Sequence, residues 1–170
     1  MRELLAKKAS RANSYRVVAL VLNDPANYAE LVKIVANYES PYSEKAAWAV
    51  SHCFDEKGGY FENHLAEFVS ILASEVYSDS VKRNIVRVLQ FTHIPQKHQA
   101  SVINSCFELI QKKDTAIAVK AFSLGIIENM VKIYPELKNE LEACIEDLLP
   151  KASAGLKNRG KHILKRLKKA

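Results

Sequence analysis

Apolar residues recur along this chain at helical spacing. Val81, Ile85, Val88 and Leu89 stand at i, i+4, i+7 and i+8, which places them on one stripe of a helix. Val102, Cys106 and Leu109 form a second such stripe. The five prolines mark the intervals: Pro25, Pro41, Pro95 and Pro135 each precede an amphipathic stretch and Pro150 follows one. Proline lacks an N–H and is tolerated in the first turn of a helix, but it breaks the interior. Ser78-Asp79-Ser80 offers capping oxygens ahead of one stretch, and Gly58-Gly59 divides the stretch around Trp48 from the one around Phe68. The pattern predicts helices over 3–11, 13–22, 25–38, 42–55, 61–74, 80–92, 96–112, 115–133, 136–149 and 153–168, with the first two able to run together.

These helices keep step with one another. Aligning alternate helices by their apolar positions pairs Ala47 and Val50 with Ile85 and Val88, then Ala121 and Leu124, then Gly160 and Ile163, at offsets of 38, 36 and 39. The remaining helices align independently. Leu65, Val69 and Leu72 match Val102, Cys106 and Leu109, then Leu141, Ile145 and Leu148, at offsets of 37 and 39. Two registers sharing one period imply a two-helix repeat, because unrelated helices need not keep step.

A period near 38 with two helices per unit resembles the HEAT and armadillo repeats, and Ser80 to Leu89 resembles the first-helix HEAT pattern of a β-branched residue, a base, then small or apolar residues. The resemblance covers about residues 13–168. It implies an all-α fold, a right-handed α-α superhelix of about four and a half repeats, in which stacking buries faces that one hairpin cannot bury alone. It identifies a fold and not an activity. The expected organisation is a single domain over 1–170, with 151–170 a basic capping helix.

Composition adds compartment and partner class. At 170 residues, with 48% hydrophobic and 26% charged residues, the chain can bury a core without disulfide or metal. Cys53, Cys106 and Cys144 are odd in number and lie in apolar helical contexts, which reads as reduced thiols in a cytoplasmic protein. The longest apolar run, Val17 to Leu22, is too short to cross a bilayer, and the N-terminal residues show no signal-peptide pattern. The net charge of +6 conceals a segregation: eight of the 25 basic residues lie within 151–170, where there is no acid. The first 150 residues therefore carry 17 basic against 19 acidic side chains, a balance near −2.

The catalytic readings are weak. His52, Cys53, Asp55 and Glu56 cluster in sequence, yet neighbours on a helix point about 100° apart, so His52 and Cys53 cannot face one another. His52 and Asp55, three apart, read as decoration of the helix end. His64, His93, His98 and His162 lack zinc-site spacing, no C-x-x-C occurs, and phosphate-loop, dinucleotide and hydrolase motifs are missing. Cys106 and Cys144 read as equivalent members of buried stripes, each a small hydrophobe. No cofactor is expected. An adenylosuccinate lyase activity is rejected because neither Met1 nor Met130 is followed by proline, as the S-S-x-M-P-x-K-x-N signature of that superfamily requires.

HEAT-like alkylpurine DNA glycosylases, which bind DNA on a basic concave face and use an acid among aromatic residues, are the closer enzymatic comparison. Trp48 is the single tryptophan and lies in a first helix, where it reads as packing. The concave side of such folds comes from second helices. The last of these carries Glu136, Glu140, Glu142, Glu146 and Asp147 against Lys138, the wrong sign for a phosphate backbone. The favoured expectation is a non-catalytic scaffold with another protein on its concave second-helix surface. The alternative is a nucleic-acid-associated module, or one holding an acidic partner, that binds through Lys157, Arg159, Lys161, Lys165, Arg166 and Lys168 of the C-terminal helix. Leu156, Ile163, Leu164 and Leu167 of that helix are expected to pack.

Overall fold

The computed structural model describes residues 1–57 and 59–169. Gly58, half of the predicted Gly58-Gly59 divider, lies outside the described residues. The described residues form helices and no strand. The chain divides into two compact units, Met1–His93 and Ile94–Ala170.

The first unit contains α1 (Arg2–Ala6), α2 (Arg11–Asn23), α3 (Ala26–Ala36), α4 (Tyr42–Glu56), α5 (Gly59–Glu62), α6 (Leu65–Ala73) and α7 (Asp79–Leu89). The first helices α2, α4 and α7 pack side by side, while the second helices α3 and α6 lie against α4 and α7 respectively. Helix α4 touches α2, α3 and α7 at once, and its buried Ala46, Ala47 and Ala49 are small enough to admit all three. Val17, Val18 and Val21 of α2, Leu31 and Val35 of α3, and Ile85, Val88 and Leu89 of α7 complete this core.

Polar bonds join the first helices about one repeat apart. Asn84 on α7 accepts from the Ser51 hydroxyl of α4 at 3.2 Å and donates to the Ser80 carbonyl at 2.9 Å. Arg87 donates to the Ser51 carbonyl at 3.3 Å and grips Asp55 with bonds of 2.9 and 3.0 Å. Outside the first helices, Tyr77 of the loop before α7 donates to the Ala36 carbonyl at the end of α3 at 2.8 Å.

Three local features differ from the sequence expectation. Helix 61–74 is interrupted: α5 stops at Glu62 and α6 starts at Leu65. Residues seven apart in a continuous helix are about 10 Å apart along its axis. Phe61 and Phe68 instead stack with ring centroids 4.3 Å apart, which only a break between them permits. The first helix ends at Ala6, short of the predicted 3–11, and does not run on into α2. Lys45 pins the connecting segment through the Leu5 and Lys7 carbonyls at 2.8 and 2.7 Å, and the Ser10 hydroxyl caps α2 by accepting from the Asn13 N–H at 3.1 Å. Ser78 occupies the cap position of α7, but its hydroxyl donates to Glu44 at 3.3 Å rather than capping the helix.

The second unit contains α8 (Gln96–Gln111), α9 (Ile117–Val131), α10 (Leu137–Leu148), a 3-10 turn over Leu149–Lys151 and α11 (Ala154–Leu167). Helix α9 packs against α8, α10 and α11, so it is apolar nearly all round, with Val119, Leu124, Ile126, Ile127 and Met130 buried. Helix α11 closes on α9 and α10 with Leu156, Gly160, Ile163 and Leu167, while Leu164 is half-buried. Gly160 marks a close approach. A Cβ there would stand 3.0 Å from Cγ2 of Ile145 and 3.2 Å from Cδ2 of Leu149.

Candidate functional site

The sequence candidates on α11 divide by helix face. Leu156, Gly160, Ile163 and Leu167 face inward, and one flank carries Arg159 and Arg166. Arg166 holds Glu128 of α9 with bonds of 2.5 and 2.9 Å. Arg159 is half-buried, and that desolvation draws its guanidinium below the ordinary arginine range. Lys157, Lys161, Lys165 and Lys168 follow at three- and four-residue steps on another flank, Lys157 half-buried and the others exposed. The six proposed residues are therefore two sets, with Arg166 engaged in an ion pair and the lysine stripe facing outward. That ion pair ties α11 to α9.

A groove in the same unit escaped the sequence reading. It has a volume of about 620 Å³ and lies where the C-terminal ends of the second helices α8 and α10 meet the N-terminal ends of α9 and α11. Ile110, Ile117, Leu148 and Leu156 supply apolar wall, and Lys113, Lys120 and Lys151 supply positive charge against Asp147. Ile117 is 54% exposed, whereas Lys120 is only 7% exposed. Thr115 also lines the groove, buried, with its hydroxyl unpartnered. These residues come from four segments of 110–156, and no short motif joins them. Only a three-dimensional placement of the loops could have found them.

Cys144 belongs to this wall. It is half-buried, and its sulfur accepts from the Gln111 amide at 3.4 Å. The expected equivalence with Cys106 is corrected by the register: wholly buried Ile145 takes the place of Cys106, and Cys144 points about 100° aside. Burial pushes the Cys106 and Cys53 thiols up to about 12, away from the thiolate form a nucleophile or metal ligand needs.

In the first unit, His52 and Asp55 turn to different helices instead of to one another. His52 Nδ1 lies 2.8 Å from the Ser14 hydroxyl of α2, and the ring stacks on Tyr15 at 4.7 Å and tilts against Trp48 at 5.4 Å. Asp55 is held by Arg87. Desolvation lowers the His52 pKa below its ordinary value, the charge of Asp55 opposing it in part. Arg11 lies over the Tyr15 ring, 5.4 Å from its centroid. Among the described residues, no group of three or more His, Cys, Asp or Glu side chains is placed to hold a metal ion.

A family model described as a HEAT repeat domain matches residues 1–167. The chain belongs to the HEAT repeat family. No curated protein and no solved structure matches it. For this HEAT repeat protein the family agrees with the fold expected from the two registers. Leu65, Val69, Leu72, Val102, Cys106, Leu109, Leu141 and Ile145 of the second helices are all buried, as are Ala47, Val50, Ile85, Val88, Leu124, Gly160 and Ile163 of the first. Ala121 and Leu148 are half-buried. None of the helices among its described residues is long and apolar enough to cross a membrane.

Proposed function

We propose that this HEAT repeat protein is a non-catalytic, cytoplasmic scaffold that holds another protein on its second-helix side. The groove at the ends of α8 and α10 carries this reading, since it joins apolar wall, exposed Ile117 and polar groups in one concavity. Its volume falls within the roughly 300–1,000 Å³ typical of binding pockets. Repeat folds recognise partners over surfaces assembled from successive units. The test is crosslinking in native lysate with a photoreactive residue at position 117, against the same residue at position 83 on α7. A discrete protein adduct specific to position 117 supports the scaffold. Equal adducts at both positions would sink it.

A second reading is favoured by the lysine stripe. Lys157, Lys161, Lys165 and Lys168 on α11 present repeated positive charge suited to a phosphate backbone or an acidic partner. Affinity of this kind is carried by the helix and lost steeply with salt. Anisotropy of a labelled DNA duplex at rising salt measures it, and binding unchanged by reversal of the four lysines to Glu would eliminate it.

A further inference from the structure

We infer that the α8–α10 groove takes a short acidic segment of a partner protein, an extended peptide carrying Asp or Glu beside an aliphatic or aromatic residue. This rests on the scaffold reading and names the chemistry of its partner. Three lysines against one aspartate give the lining a positive balance. Lys120 stands out because a lysine so buried is held in place by its surroundings instead of sweeping through solvent. Lys113 and Lys151 lie at the exposed rim, on the loop before α9 and on the turn after α10.

Lysine ammonium groups meet carboxylates as point charges and set no demand for bidentate geometry, which suits side chains on an extended segment. Ile110, Ile117, Leu148 and Leu156 take the neighbouring apolar side chain. The buried, unpartnered Thr115 hydroxyl leaves a hydrogen-bonding group unsatisfied at the same wall. Glu136 and Glu140 do not oppose such a ligand closely. They stand at the other end of α10, seven or more residues before Asp147, which is about 10 Å or more along the axis. The outward lysine stripe of α11 is a separate surface, since none of its four lysines lines the groove.

The experiment is selection from a random-peptide display library on the immobilised full chain, followed by anisotropy with the recovered peptides labelled. They are measured against wild type, the double variant Lys113→Glu/Lys151→Glu, and the control Lys161→Glu/Lys165→Glu. Both pairs are exposed, and helical melting curves check that each variant folds. The expected peptides place an acid next to Leu, Ile or Phe. Their affinity falls about tenfold or more in the groove variant, about 1.4 kcal/mol or more, and holds in the control. Lys120→Met, which keeps the buried stem, should weaken the same peptides. Recovered peptides without acids, or affinities indifferent to Lys113 and Lys151, would overturn the groove while leaving a scaffold with another surface. Full competition by inorganic phosphate alone would assign the groove to a small anion and overturn the peptide. Recovery of no peptide, with duplex DNA bound through the α11 lysines, would remove the scaffold reading as well.

Discussion

Replacing Cys106 by Ala is expected to cost about 1–2 kcal/mol, read from a denaturant midpoint, because a wholly buried side chain leaves a void its neighbours cannot fill. The same change at half-buried Cys144 should cost less, and Cys106→Ala should lose no function. Alkylation of the folded protein should find Cys144 ahead of Cys53 and Cys106, whose thiols burial holds near 12. Mass spectrometry after brief iodoacetamide treatment decides this, and preferential labelling of either buried thiol would contradict it. His52 gives a pH signature. Desolvation holds its folded-state pKa below the ordinary 6.5, so the unfolded chain takes up the proton first as pH falls. Stability should therefore be full above that value and decline as pH drops through 6.5 to the folded pKa. Comparing melting temperatures of wild type and His52→Gln across this window isolates the effect, since the variant should lose that part of the slope. Little of this could be read from sequence, because the partners of His52 and Asp55 come from other helices. Spacing alone offered one another as the nearest choice.

At the level of single helices, α11 offers the sharpest test of packing. Gly160→Ala gains about 1 kcal/mol of helix propensity but presses on Ile145 and Leu149, so the two effects should nearly cancel. Gly160→Leu cannot be accommodated in the same way and should destabilise by about 1–3 kcal/mol. Deleting residues 153–168 should lower the melting temperature or cause aggregation, because Leu156, Ile163 and Leu167 then no longer cover α9 and α10. Melting retained after that deletion would show that α11 adds nothing to the fold. Reversing Lys157, Lys161, Lys165 and Lys168 to Glu should leave melting nearly unchanged, since these side chains lie off the buried face. Helix positions were legible because the apolar stripe has to match the core. The break between α5 and α6 was not: Phe61 and Phe68 satisfy a continuous helical period as well as a folded-back pair, and only the ring stack distinguishes them.

For the molecule as a whole, the two registers conveyed the repeat because burial recurs wherever one hairpin meets the next. The groove stayed hidden because its walls come from helix ends and loops, where no period operates. Circular dichroism should show a helical protein with essentially no strand signal, and a substantial strand component would count against the fold. If the α11 stripe binds duplex DNA, its four lysines limit the slope of log affinity against log salt to about −3.6. A steeper slope would require cations elsewhere in the chain. The side-chain bonds between neighbouring first helices have a consequence for how this protein can change in length. Ser14 meets His52 across 38 residues, Asp55 meets Arg87 across 32, and Glu128 meets Arg166 across 38. A single Ala inserted after Cys53 would swing the rest of α4 by about 100° and carry Asp55 away from Arg87, whereas duplicating a whole two-helix unit re-creates the same pairings with a new neighbour. Growth by complete modules is thus open to this chain, while growth by one residue inside a helix is closed.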